Sequence, residues 1–281
     1  MSYGKSIEIF LANGNAESLI TAEVSNWNGK AIKIPRLELP ECTREDVRRT
    51  GVYFLFCQED DGTDSVYIGE AENIYDRLQQ HLRDYQSGKE QFYWNTVVMF
   101  VGQDLNKALI RYLENRLVEI ARECGKYKIL TKNTYRNTVL KESQIAAMEE
   151  YTDNIRILMN TLGYRVLVPT PKAERNTKYL YCAGNGAKGK GFISPAGLTV
   201  VKGSKISDHM VPSFENRAKS YYNLRKKLEE NGTIVDGVFV SDYEFSAPSA
   251  AAAVLYGRNA NGNIEWKTKE GTELKNLLLG E

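Results

Sequence analysis

Short apolar runs alternate with polar segments over residues 51–101, and their lengths predict a small antiparallel sheet. The runs at 51–56 and 67–69 are separated by a polar segment rich in aspartate, with a glycine in its middle, a pattern typical of a β-hairpin. A third run, at 96–101, is rich in β-branched residues, which favour a central strand. These runs predict a three-stranded antiparallel sheet.

Helical periodicity appears between and after these strands. After the second run, Asn73 is a suitable N-cap for a helix whose apolar stripe contains Ile74, Leu78, Leu82 and Tyr85. Two longer amphipathic patterns cover residues 107–123, ending before Gly125, and residues 144–159. Residues 5–35 instead alternate with a period of two and predict further strands. The fold class is therefore predicted to be α+β, with helices flanking the sheet.

Prolines at 169 and 171 interrupt regular structure, and the polar residues up to 178 predict a linker. Beyond it, the glycine-rich run 184–191 lacks the spacing of a phosphate-binding loop and predicts a flexible turn. We expect one helix from Pro212 through Glu230 and one strand over 233–240. The predicted domains are a β-rich N-terminal extension at 1–45, a compact α+β domain at 46–140, a helix and linker at 141–180, and a C-terminal α+β domain at 181–281.

Composition limits the possible classes of protein. The 281 residues are 42% hydrophobic and 26% charged, which favours packed domains over disorder. The net charge is only +1, but residues 165–227 contain 13 lysines and arginines against 3 acids, so the rest of the chain carries about −9 (+1 minus +10). The four cysteines form no C-x-x-C pair, and the first residues do not resemble a signal peptide, so we expect a cytoplasmic protein. With two histidines in the whole chain, a site of several histidines is excluded.

Candidate chemistry lies at the edge of the predicted sheet. Tyr53 and Tyr67 belong to the two strands of the hairpin, and Arg77 and His81 are four residues apart, so they share one helix face. Glu114 falls within the apolar stripe of the helix at 107–123, where a carboxylate is costly unless it is paired or binds a cation. The structural alternatives are that the tyrosines only pack and that Glu114 bonds an arginine.

These residues together resemble the GIY-YIG nuclease family. Gly51-Val52-Tyr53 corresponds to the first motif, with Val in place of Ile, and Tyr67-Ile68-Gly69 matches the second. Arg77 follows Gly69 by eight residues, His81 follows Arg77 by four, and Glu114 follows Arg77 by 37, in register with the family pattern. The resemblance implies Tyr53 as general base, Tyr67, Arg77 and His81 as further catalytic residues, and Glu114 as the single ligand of Mg²⁺ or Mn²⁺. Gly69 and Asn133 are the implied substrate-binding positions in this domain, although Asn133 is also an ordinary turn residue.

One residue departs from the family pattern. Several members have Lys directly after the second motif, where this chain has Glu70. A negative charge there would raise the pKa of a neighbouring tyrosine, so either His81 takes part of the base role or Glu70 points to solvent.

The C-terminal segment resembles an uncharacterised domain that often follows GIY-YIG domains. Its basic helix contains Arg217, Lys219, Arg225 and Lys226, with aromatic residues interleaved, which suits contact with nucleic acid; a solvated basic helix over core aromatics is the alternative. The first hypothesis is a metal-dependent DNA endonuclease. The alternatives are a non-catalytic nucleic-acid-binding or assembly module on the same scaffold, with a protein partner or self-association through the C-terminal domain, and a nuclease acting on RNA.

Overall fold

The computed structural model describes residues 3–59, 62–132, 134 and 138–279. The chain divides into two compact units, Met1–Pro169 and Thr170–Glu281. Both units mix helices and strands, which confirms the α+β class. Among the described residues, none of the helices has both the length and the apolar character that crossing a bilayer requires.

The first unit is built on a seven-stranded sheet. In chain order its elements are β1 Ile7–Leu11, β2 Ile20–Val24, β3 Gly29–Pro35, β4 Gly51–Gln58, β5 Asp64–Ala71, α1 Ile74–Gln86, β6 Trp94–Gly102, α2 Lys107–Cys124, β7 Lys128–Ile129 and α3 Glu142–Thr161. The strand order is β1-β2-β3-β6-β4-β5-β7. Neighbouring strands are antiparallel except β5 and β7, which are parallel.

The predicted three-stranded sheet corresponds to β5-β4-β6 at the centre of this larger sheet. The N-terminal extension continues it, because β3 pairs with β6 from Gly29↔Gly102 to Pro35↔Thr96. The alternation of residues 5–35 predicted strands but contained no information about which strand they would join. Pairing with β6 completes the hydrogen bonding of what would otherwise be an exposed edge.

Alternation along β4 divides the core between the two faces of the sheet. Val52, Phe54 and Phe56 pack with α2 and α3, whereas Tyr53 and Leu55 pack with α1. Since helices cover both faces, nearly the whole strand is buried and its sequence is almost continuously apolar. Tyr53 therefore faces α1.

The second unit contains a four-stranded antiparallel sheet, a two-stranded ribbon and five helices among the described residues. Its elements are β8 Leu180–Gly184, β9 Ala187–Ser194, β10 Gly197–Val200, α4 Phe214–Arg217, α5 Lys219–Glu230, β11 Ile234–Val235, β12 Val238–Phe239, β13 Tyr243–Phe245, α6 Pro248–Tyr256, α7 Gly262–Glu265 and α8 Leu274–Leu279. The sheet order is β13-β10-β9-β8, and β11 pairs with β12.

The glycine-rich run was wrongly predicted as a flexible turn. Only Asn185 and Gly186 turn the chain, and the flanking residues form the β8–β9 hairpin. Gly189 and Gly191 belong to β9, where an added β-carbon would lie 2.5 Å from Leu255 Cδ1 and 2.7 Å from the carbonyl oxygen of Thr199, respectively. These glycines permit close packing.

Two further C-terminal predictions need correction. The strand expected over 233–240 is two short strands, because Asp236 and Gly237 both have positive φ and reverse the chain. The helix expected from Pro212 to Glu230 is broken at Ala218, whose backbone (φ −139°, ψ 45°) is not helical.

Candidate active site

The register of β4 and β5 sets the positions of the two motif tyrosines. Tyr53 lies directly opposite Gly69, and Tyr67 lies two residues from that pair on the same face. Their ring centroids are 6.2 Å apart, with an angle of 29° between the ring planes. Tyr53 is fully buried, whereas Tyr67 is partly exposed. The hairpin therefore directs both phenols toward α1.

Helix α1 places Arg77 and His81 beside the tyrosines. The helix begins after Asn73, whose side-chain oxygen accepts the backbone N–H of Asp76 at 3.3 Å. One face then presents Arg77 and, one turn later, His81. His81 is buried and its Nε2 lies 3.0 Å from the Tyr53 hydroxyl. Arg77 is exposed, and its guanidinium interacts electrostatically with both tyrosines. The structure thus brings these four predicted residues together.

Gly69 leaves the space that the Tyr53 hydroxyl occupies. An added β-carbon at Gly69 would lie 2.5 Å from that oxygen and 2.9 Å from Cε1 of Tyr67. Both distances are shorter than real contacts allow, so the second motif requires glycine at this position for a steric reason. Gly69 shapes the site from the strand opposite Tyr53.

The tyrosines keep their protons at neutral pH. Burial raises the pKa of Tyr53 well above its ordinary value, Tyr67 raises it further, and the guanidinium of Arg77 opposes the shift. Burial likewise raises the pKa of Tyr67, again opposed by Arg77. Tyr53 can accept a proton only if it passes its own proton on.

Glu114 is a buried carboxylate on α2 with an oxygen that has no hydrogen-bond partner among the described residues. The residue is 6% exposed, and the oxygen concerned is Oε2. Burial, followed by repulsion from Glu70, raises the pKa of Glu114 to about 7, whereas Lys107, Arg77 and Arg111 oppose the shift. A buried carboxylate with an unsatisfied oxygen fits a divalent cation. Within the described residues, no cluster of three or more His, Cys, Asp or Glu side chains could hold a metal ion.

Glu70 does not point to solvent. Its side chain is 6% exposed, and its carboxylate lies 2.9 Å from Nζ of Lys107 and 3.9 Å from Nε of Arg111. Both cations lie on α2, in the two turns that lead to Glu114. The charge of Glu70 is therefore compensated from α2.

Glu90 is a site residue that sequence reasoning missed. It lies between α1 and β6, its side chain is 10% exposed, and Oε2 is 2.5 Å from Nδ1 of His81. A loop position has no periodicity, so no pattern along the chain indicates that Glu90 contacts His81. Phe92 follows in the same segment and stacks on Tyr67 with ring centroids 5.7 Å apart.

The remaining predicted residues are distributed differently. Asn133 lies outside the described residues. In the second unit, Arg217 and Lys219 are exposed, and Lys226 lies 3.4 Å from Glu229. Arg225 is 4% exposed, and its guanidinium donates to the backbone oxygens of Val254 and Ser207. Arg225 is therefore a buried residue that binds backbone carbonyls, and it is not part of the basic surface.

Comparison with known proteins agrees with the motif geometry. The family model of the GIY-YIG catalytic domain matches residues 49–128, which include Tyr53, Tyr67, Arg77, His81 and Glu114. A second model, a domain of unknown function (DUF4357), matches residues 180–278. Searches of curated proteins and of solved structures found no match. The chain thus carries a GIY-YIG catalytic domain followed by a DUF4357 domain.

Proposed function

We propose that the protein is a metal-dependent endonuclease that hydrolyses phosphodiester bonds in DNA at the Tyr53–Arg77–His81–Glu114 cluster. The observation that supports this most strongly is the meeting of a cationic Arg77, a hydrogen-bonded Tyr53–His81 pair and a buried carboxylate with an unsatisfied oxygen. Hydrolysis needs an activated water, compensation of charge on the phosphate and stabilisation of the departing oxygen. These residues can meet the first two needs.

Arg77 is the phosphate-binding residue in this proposal. Its side chain is exposed, and its guanidinium interacts electrostatically with Tyr53 and Tyr67. A guanidinium keeps its charge at all relevant pH values and can bond two phosphate oxygens at once. Arg77 would therefore orient the scissile phosphate next to Tyr53.

Glu114 is the residue that would hold a divalent metal ion, with water and phosphate oxygens completing the coordination. Bound there, Mg²⁺ or Mn²⁺ would supply Lewis-acid stabilisation of charge on the phosphate and the departing oxygen. The carboxylate would be ionised when it binds the cation, although burial favours its protonated form.

Tyr53 is the proposed acceptor of the water proton. Its oxygen is hydrogen bonded to His81, so the water proton can move to Tyr53 as the phenolic proton moves to Nε2 of His81. The water oxygen then forms a bond to phosphorus and one ester P–O bond breaks. The departing alkoxide takes a proton from solvent.

Surface cations of the second unit support nucleic acid as the partner. Arg217 and Lys219 are exposed, and Nζ of Lys190 lies 3.8 Å from the centre of the Tyr179 ring. Cations near aromatic rings suit phosphates and stacked bases. We propose that this unit contributes affinity for nucleic acid without contributing to the reaction.

Plasmid cleavage tests the proposed function. Supercoiled DNA is incubated with wild type, Tyr53→Phe and Glu114→Gln, each with Mg²⁺ or EDTA, and matched single-stranded DNA and RNA are tested in parallel. We expect nicking by wild type alone, abolished by EDTA. Retained activity in Glu114→Gln would contradict the metal site. Cleavage of RNA alone would reassign the substrate, and salt-sensitive binding without any cleavage would favour a binding module.

A further inference from the structure

Glu90 is held against His81 by the loop that follows α1. Gly88 has a φ of 73°, which reverses the chain after the helix. The backbone N–H groups of Lys89 and Glu90 then both donate to the carbonyl oxygen of Asp84, at 2.9 and 3.1 Å. This turn brings the Glu90 carboxylate within 2.5 Å of Nδ1 of His81. The contact is therefore fixed by backbone hydrogen bonds.

The imidazole of His81 joins Glu90 to Tyr53. Its two nitrogens face different partners, with Nδ1 toward the carboxylate and Nε2 toward the phenol at 3.0 Å. An ionised carboxylate only accepts hydrogen bonds, so Nδ1 carries the proton. In the neutral ring Nε2 then has its lone pair free to accept the Tyr53 O–H. Glu90 thus sets the direction of the Tyr53–His81 hydrogen bond.

Stability does not explain a carboxylate at this position. The Glu90 side chain is 10% exposed, and among the described residues its Oε1 is buried without a hydrogen-bond partner. A buried polar atom without a partner destabilises the folded state, and an apolar side chain would avoid that cost. The negative charge next to His81 is what an apolar side chain could not supply.

We propose that Glu90 is a positioning residue that fixes the tautomer of His81 and stabilises its protonated form, so that Tyr53 can accept a proton from the attacking water. The proposal rests on the proposed function. As the water gives a proton to the Tyr53 oxygen, the phenolic proton moves to Nε2 of His81, and the resulting imidazolium pairs with Glu90. After the ester bond breaks, His81 returns its proton to solvent. The arrangement follows the logic by which an acid orients a catalytic histidine.

A spectroscopic measurement tests the contact independently of activity. The chain has only two histidines, so ¹⁵N-histidine labelling gives the side-chain signals of His81 and His209, and His209 is an internal control. In wild type we expect the neutral tautomer of His81 to carry its proton on Nδ1. In Glu90→Gln we expect the Nε2–H tautomer to appear, because an amide can donate to Nδ1. A neutral tautomer of His81 with its proton on Nε2 in wild type would overturn the proposal.

Kinetics of the full-length protein test the consequence. Loss of such an orienting carboxylate is expected to lower kcat by about 100-fold with KM nearly unchanged. Glu90→Asp keeps the charge and should recover activity to within about 10-fold of wild type, whereas Gln91→Ala, on the exposed next residue, should match wild type. A thermal melt of each variant separates this loss from unfolding.

The outcomes separate this proposal from the proposed function. Wild-type kcat in a folded Glu90→Gln variant would refute the role of Glu90 and leave the nuclease intact. An inactive wild type would refute the nuclease, and the His81 tautomer in wild type and Glu90→Gln would still decide whether Glu90 positions the imidazole.

Discussion

Substitution of Gly69 by alanine should impair the site while the fold persists. The added β-carbon would lie 2.5 Å from the Tyr53 hydroxyl oxygen and 2.6 Å from Cζ of the same ring. Ordinary contact begins at 3.4 Å, so the ring has to move by about 1 Å. The hydroxyl now lies 3.0 Å from Nε2 of His81. Movement of that size away from His81 would stretch the hydrogen bond beyond its useful range.

Gly69→Ala should affect the stability of the protein and its activity to different extents. The clashing atoms belong to side chains, so the fold can adjust, and we expect a loss of about 1 to 3 kcal/mol in the free energy of unfolding. Misplacement of a catalytic group by about 1 Å can lower the rate by about 100-fold. Gly69→Ala is therefore expected to lose about 100-fold in kcat/KM for DNA cleavage while it still unfolds cooperatively.

Gly51, in the first motif, is the matched contrast. A β-carbon there would lie 2.1 Å from the backbone oxygen of Phe100 on β6, and the paired strands would have to separate. We expect Gly51→Ala to lose about 3 kcal/mol or more in stability. Gly4→Ala, where no atom lies within 4 Å, controls for the substitution itself. Wild-type kcat/KM in Gly69→Ala, or a stability loss equal to that of Gly51→Ala, would refute the reasoning.

Two other substitutions test the charges. Because burial raises the pKa of Glu114 to about 7 from 4.5, ionisation costs the folded state stability as pH rises through this range. Glu114→Gln should therefore raise Tm at pH 8 and much less at pH 5. Addition of Mg²⁺ should raise the Tm of wild type but not that of Glu114→Gln. An equal rise in Tm on substitution at both pH values would contradict this reasoning. Arg225→Ala, which leaves the carbonyls of Val254 and Ser207 without their donor, should lose about 3 kcal/mol in urea unfolding. Lys226→Ala, on the more exposed neighbour, should stay within about 0.5 kcal/mol, and a similar loss there would contradict the anchoring role.

Local patterns predicted the elements that carry the tyrosines and the helix beside them. The N-cap of α1 at Asn73 and the left-handed Gly125 after α2 both occur as expected, because each follows from a local backbone requirement. The pairing of β3 with β6 joins residues far apart in sequence, and alternation alone contains no information about partners. Tertiary contacts also decide the β8–β9 hairpin at Asn185-Gly186. The glycines that follow the turn belong to a strand over which other residues pack closely, and a glycine-rich sequence alone does not indicate this packing.

The site also divides into residues that local patterns predict and residues whose contacts depend on tertiary structure. Tyr53, Tyr67, Arg77 and His81 lie on regular elements, so register and helical spacing bring them together once the motifs are recognised. Glu90 lies on a loop, and its contact with His81 depends on the turn at Gly88. Loop residues that complete a site need three-dimensional information.

Glu70 shows how packing changes the meaning of a motif departure. From sequence, a carboxylate after the second motif should act on the tyrosines. In the structure the pKa of Tyr53 is raised by burial and by Tyr67, whereas Glu70 acts on Glu114. Its carboxylate pairs with Lys107 and Arg111 on α2, and the charge that it repels is that of Glu114. The tertiary packing of α2 against β5, and not the place of Glu70 in the motif, therefore decides which group it affects.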